Sequence, residues 1–167
     1  MRPTPKTLAL AALAALLLVV NLLDPGVAPQ GSTDLRIISP VPAADATRIE
    51  LSTATAKVVL EKDPETDRWM LTAPLTHAAD QTLVKAVLQP YRLETPVDVR
   101  VDTGNLADYG LDASSGIVVE LFAGADTPKV SLTIGNDAPG GSSFVRISGD
   151  DAVYRARLGG RARYAHP

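Results

Sequence analysis

The sequence predicts an α+β protein: an N-terminal transmembrane helix, then a mostly antiparallel β-sheet domain with one packed amphipathic helix. Three observations predict it. An uncharged apolar run opens the chain, several later segments alternate apolar and polar residues, and one segment alone carries a helical stripe. The 167 residues suffice for one ordinary domain behind a membrane segment.

The apolar run is "TLALAALAALLLVVNLL", Thr7 to Leu23, about 17 residues without a charge and preceded by Arg2 and Lys6. A cleaved signal peptide and an uncleaved signal anchor compete for it. Cleavage after Gly26-Val27-Ala28 would place Pro29 beyond the scissile bond, a poor fit to peptidase geometry, so the anchor over residues 1–23 is favoured. The basic residues stay on the cytoplasmic side, which predicts a single-pass protein of the inner (cytoplasmic) membrane with its C-terminal domain extracytoplasmic. Cleavage would instead release a secreted structural domain. Residues 24–46, rich in Pro, Gly and Ala, read as a linker. Its apolar knot at Leu35, Ile37 and Ile38 is able to dock as a first edge strand.

The globular domain is expected over residues 47–157. In "TRIELST", Ile49, Leu51 and Thr53 share one face, the period of a half-buried strand. "AKVVLEK" and "WMLT" follow, joined by "DPETDR". Asp63, Glu65 and Asp67 open like a calcium loop, but Arg68 stands where the sharp turn needs glycine and Pro74 where the bidentate glutamate belongs. A solvated hairpin turn is the reading. Asp80 is a good N-cap, and Leu83, Val84, Val87, Leu88 and Tyr91 form the apolar face of a helix of about ten residues. Pro90 should end or kink it near Gln89.

"PVDVRVD" alternates strictly, with Asp98, Arg100 and Asp102 on its polar face. In "NLADYGLD", Asn105 caps a short turn, Gly110 supplies a left-handed residue, and Leu106, Tyr109 and Leu111 fold inward, which makes a structural corner. Strands over 116–122 and 129–135, a flexible "NDAPGGSS", and the pair "FVRIS" and "AVYRA" complete a meander.

Several functions are excluded or disfavoured. A net charge of −3 supplies no basic field for nucleic acid, and the chain has no cysteine for a disulfide, a thiolate metal site or a lipid anchor. Gly-x-Ser-x-Gly and Ser-x-x-Lys are absent, and the two histidines, His77 and His166, lie far apart. The glycines of "GNDAPGGSS" lack the order and the Gly-Lys-Ser/Thr signature of a phosphate cradle. No catalytic residue, no metal ligand and no cofactor is expected, and the chain does not read as an enzyme. Arg155, Arg157, Arg161 and Arg163 concentrate near the end and are candidates for meeting anionic lipid or an acidic protein partner. Residues 158–167 are expected to form a basic tail, one that ends as though a downstream segment were missing.

Taken in order, "KVVLEKDPETDRWMLTAP", "ADQTLVKAVLQPYRL", "LADYGLD" and "VSLTIGNDAPGGSSFVRISGDDAVY" resemble DUF4340, a bacterial family of unknown function. The landmarks are Trp-x-Leu-x-x-Pro from Trp69 to Pro74, Ala-Asp-x-x-x-Val from Ala79 through Asp80 to Val84, Tyr-Gly-Leu-Asp at Tyr109, Gly110, Leu111 and Asp112, and Ile134-Gly135. The resemblance implies a membrane-anchored envelope protein without assigned catalytic residues, accompanying ABC-type transport systems of the gliding-motility kind. The resemblance implies that many members continue into a second copy of the domain, and no second copy is expected within these 167 residues. The leading expectation is therefore an extracytoplasmic interaction domain, an accessory subunit of a transport or envelope complex. The alternative is a small-ligand-binding or hydrolytic envelope domain with a pocket near Asp98, Asp102 and Asp112.

Overall fold

The structure, a computed structural model, describes residues 36–38, 40–92, 95–100 and 105–165. The apolar run, the first part of the linker, Asp102 and His166 lie outside the described residues. Among the described residues no helix is long and apolar enough to cross a membrane.

The protein is mostly antiparallel β-sheet with one short helix. The strands are β1 (Arg36–Ile38), β2 (Arg48–Ser52), β3 (Lys57–Lys62), β4 (Trp69–Ala73), β5 (His77–Ala78), β6 (Thr95–Arg100), β7 (Ile117–Phe122), β8 (Val130–Ala138), β9 (Ser142–Ile147) and β10 (Val153–Ala156). Helix α1 spans Gln81–Leu88 and a single turn, α2, spans Ala162–Ala165. The sheet order is β1-β6-β10-β9-β8-β7-β2-β3-β4-β5. Two meanders, β2 to β5 and β7 to β10, join where β2 pairs with β7, from Arg48 opposite Phe122 to Ser52 opposite Val118. The connection through α1 carries the chain across one sheet face and returns it as β6, between β10 and β1.

Alternation decides which face is covered. In β2, Ile49 and Leu51 are buried while Arg48, Glu50 and Ser52 are half-buried. Leu60, Val119, Leu121, Leu132, Ile134 and Val145 continue the same core, and α1 closes it with Val84, Val87 and Leu88. Pro90, which has no N–H to donate, ends the α-helix at Leu88 and leaves one 3-10 turn, Gln89–Tyr91, that buries Tyr91. Leu83 departs from the predicted stripe, for it is 48% exposed. It stands on the first turn of α1, where the sheet narrows to the two residues of β5.

Four further expectations change. The folded part does not begin at Thr47: β1 pairs with β6, Ile38, Val41 and Ala46 are buried, and the Val41 N–H donates to the Tyr91 carbonyl at 2.7 Å. Residues 36–38 and 40–46 are thus part of the domain. Residues 158–165 are not a loose tail either, because Leu158 and Tyr164 are fully buried. The stretch read as a flexible loop, 136–143, is largely strand. Pairing shifts register between Ile134 and Asp137 and runs on to Ala138 opposite Ser142, where Gly140 and Gly141, at φ +78° and +71°, turn the chain. Helix α1 has eight residues, shorter than the stripe predicted.

Candidate functional site

The described landmarks begin at the strand–helix junction. Trp69 opens β4 with its side chain buried, and its backbone is clasped by one side chain from the start of α1. The Gln81 amide oxygen accepts from the Trp69 N–H at 3.0 Å, and its nitrogen donates to the Trp69 and Ala79 carbonyls at 2.9 and 2.8 Å. Gln81 therefore continues the ladder where β5 stops. Asp80 accepts from the Thr82 and Leu83 N–H groups, 2.7 and 3.3 Å, two donors that the first helical turn leaves unpaired. Pro74 follows β4 on the exposed side of the turn toward β5. Replacing Gln81 with leucine is expected to destabilise the domain by about 2 kcal/mol in chemical denaturation, because the Trp69 N–H loses its acceptor.

The Tyr-Gly-Leu-Asp corner packs on the Ile-Gly landmark. Asn105 caps the 3-10 turn Leu106–Tyr109, and Gly110 at φ +64° ends it, its N–H donating to the Ala107 carbonyl at 3.0 Å. Leu111 is buried, the Tyr109 ring meets Phe144 edge-on at 4.9 Å, and both Leu111 and the Tyr109 carbonyl press on the backbone of Gly135. A Cβ on Gly110 would collide with the Asn136 side chain. Gly110→Ala should cost about 1 to 2 kcal/mol, read as a lowered denaturation midpoint.

Asp112 belongs to the next turn. Its Oδ1 accepts from the N–H groups of Ser114 and Ser115 at 2.8 and 3.1 Å, and the Ser114 hydroxyl also donates to it. These bonds, the Ser114 hydroxyl first, hold its carboxyl below the ordinary aspartate range. A depressed folded-state value means that the stabilisation is present above the unfolded value and fades as pH falls through the lower folded one. Asp112 is thus occupied in turning the chain. Asp98 lies in β6 opposite Arg155 of β10, and Asp102 is outside the described residues. Among the described residues no group of three acidic, histidine or cysteine side chains is placed to hold a metal ion. The rejected calcium loop is a turn in which Asp63 accepts from the Glu65 N–H at 2.8 Å and the Thr66 hydroxyl at 2.8 Å. His77 is exposed on β5.

The C-terminal arginines do not make one solvated patch. Arg155 is half-buried in β10 and has an interaction partner, while Arg157 is exposed. The Arg161 guanidinium donates to the Ser115 carbonyl and, at 3.5 Å, to that of Ile134, and its backbone N–H donates to Asp137 at 2.8 Å. Arg163 Nη1 donates to the Ala86 carbonyl at 2.9 Å. That carbonyl lies four residues before Pro90 and so receives no helical N–H. Beside this contact the Tyr91 and Tyr164 hydroxyls bond at 3.2 Å, and Tyr164 donates onward to the Leu158 carbonyl at 3.0 Å. Burial pushes Tyr164 up to about 12 and Tyr91 well above the ordinary tyrosine value. Both raised values favour the folded state below pH about 10, and that contribution is lost as pH rises through the folded-state values. Tyrosinate absorbance is therefore expected to show these two groups ionising only with alkaline unfolding.

A cleft of about 160 Å³ opens between α1 and the β3–β5 end of the sheet. Leu60, Leu71, Val84 and Val87 form its apolar walls, Leu83 and Ala78 its rim, and Asp80 and Arg163 contribute its charged groups. Its lining is mainly apolar, and sequence spacing conceals it because its walls come from three strands, α1 and the C-terminal turn.

A family model described as a domain of unknown function (DUF4340) matches residues 69–160, more than half of the chain. The protein belongs to the DUF4340 family. No curated protein and no solved structure matches it. In this DUF4340 member the matched span runs from Trp69 through the Gln81 clasp, the Tyr-Gly-Leu-Asp corner and Gly135 to Gly160. It includes most of the cleft and excludes Leu60 and Arg163. Gln81 and the cleft are the features that sequence reasoning missed. The one available signal for Gln81 was a long amide placed just inside an N-cap, which does not reveal a tertiary partner.

Proposed function

We propose that this DUF4340 protein is a membrane-anchored, extracytoplasmic interaction domain that acts as an accessory subunit of an ABC-type transport or envelope complex, through binding and not catalysis. The observation that carries the reading is the apolar cleft beside the short edge strand β5, with Leu83 exposed at its rim. The uncharged run from Thr7 to Leu23 behind Arg2 and Lys6 supports the membrane placement. The partner class rests on what the DUF4340 resemblance implies, an envelope protein that accompanies a transport system.

The reading is tested by isolating tagged full-length protein from native membranes in mild detergent and identifying what co-purifies. Recovery of a transporter permease or ATPase subunit is the expected result. Protease added to spheroplasts should degrade the domain, since it lies outside the cytoplasm; complete protection in intact spheroplasts would contradict the placement.

A further inference from the structure

We propose that the cleft between α1 and β3–β5 receives an extended segment of a partner protein that carries one large apolar side chain beside a carboxylate. This deepens the interaction reading above and rests on it. Volume selects the occupant. An apolar cavity of about 150 Å³ accepts one benzene ring, and the 160 Å³ here suits a single phenylalanine or leucine side chain. A lipid acyl chain, with its many methylenes, is too large. Docking would also cover Leu83, which the fold leaves 48% exposed despite its place on the core stripe.

Charge sets the direction. Arg163 spends Nη1 on the Ala86 carbonyl and makes no ion pair among the described residues. Its guanidinium lies against the Gly159 backbone and lines the cleft, so its positive charge faces a carboxylate seated there. Asp80, at the other end of the helix, turns its carboxylate to the helix N–H groups and repels an acidic group there. The apolar anchor therefore enters toward Asp80 and the partner's acid lies toward Arg163. Strand β5 is the last in the sheet order, so an extended segment is able to run along its outer edge.

Fluorine NMR tests this directly. The probe is acetyl-Ala-(para-fluoro-Phe)-Asp-Ala-amide, titrated against full-length protein in lipid nanodiscs. Binding is expected in the millimolar range, as suits one side chain and one ion pair. An Asn-for-Asp probe should bind about threefold more weakly. The Ala78→Trp variant, which fills the cleft from its rim, should abolish binding. Leu83→Asp, at an exposed position, should weaken the acidic probe more than the amide probe. No line shift at millimolar protein, unchanged binding by Ala78→Trp, or displacement by decanoate at lower concentration than by unlabelled peptide would overturn the proposal. If native membranes yield a partner that Ala78→Trp retains equally, the cleft is wrong and the interaction reading stands. If the probe binds in the cleft but no partner co-purifies, the cleft assignment holds and the accessory-subunit reading fails.

Discussion

Replacing Gly135 with valine is expected to destabilise the domain by about 3 kcal/mol or more. A Cβ at this position would overlap the Tyr109 carbonyl oxygen and lie 2.9 Å from Leu111 Cγ. Neither neighbour yields easily. The Tyr109 carbonyl belongs to backbone fixed by the Asn105 cap and by Gly110 in the left-handed region, and Leu111 is 5% exposed in the core. Strand β8 is held directly before this position, where Ile134 lies between Ile117 of β7 and Val145 of β9. Denaturant titration followed by Trp69 fluorescence measures the loss. A midpoint shift worth less than about 1 kcal/mol would show that the corner is free to move off the strand.

Tyr164→Ala is expected to cost about 4 kcal/mol, as removal of a fully buried aromatic side chain does. Tyr164 is 1% exposed, and its hydroxyl joins Tyr91 to the Leu158 carbonyl. Without it the turn formed by α2 loses its anchor, and Arg163 loses the position from which it reaches Ala86. Tyr164→Phe, which keeps the ring and removes the bridging hydroxyl, should cost about 1 to 2 kcal/mol. Equal losses for the two variants would mean that the hydroxyl chain, and not ring burial, holds the C-terminal turn. No loss in either would return residues 158–165 to the status of a tail.

Much of the sheet was legible from alternation, because burial on one face imposes a two-residue period wherever a strand is long enough to display it. "TRIEL" and "GIVVELF" needed nothing else. The strand–corner–strand order was legible too, since Gly110 and Asn105 report local backbone needs within a few residues. Contacts that depend on distant partners were not. Arg163 finds the Ala86 carbonyl 77 residues away, and only the missing N–H of Pro90 hints that this oxygen needs a donor. Leu158 and Tyr164 are two apolar residues among arginines, too few for a period, and so the segment reads as a basic tail. Leu83 fits the helical stripe by number yet is 48% exposed, because beside it the sheet narrows to the two residues of β5. That mismatch between stripe and sheet is also what leaves the cleft open at its rim.

The most direct measurement of the central functional claim is the native mass of the full-length protein in a mild detergent extract of its own membranes, with and without prior cross-linking. Binding as a subunit predicts a species larger than the 17.5 kDa chain and its micelle by at least one partner, at fixed stoichiometry. A cross-linked extract that contains only the single chain would contradict it.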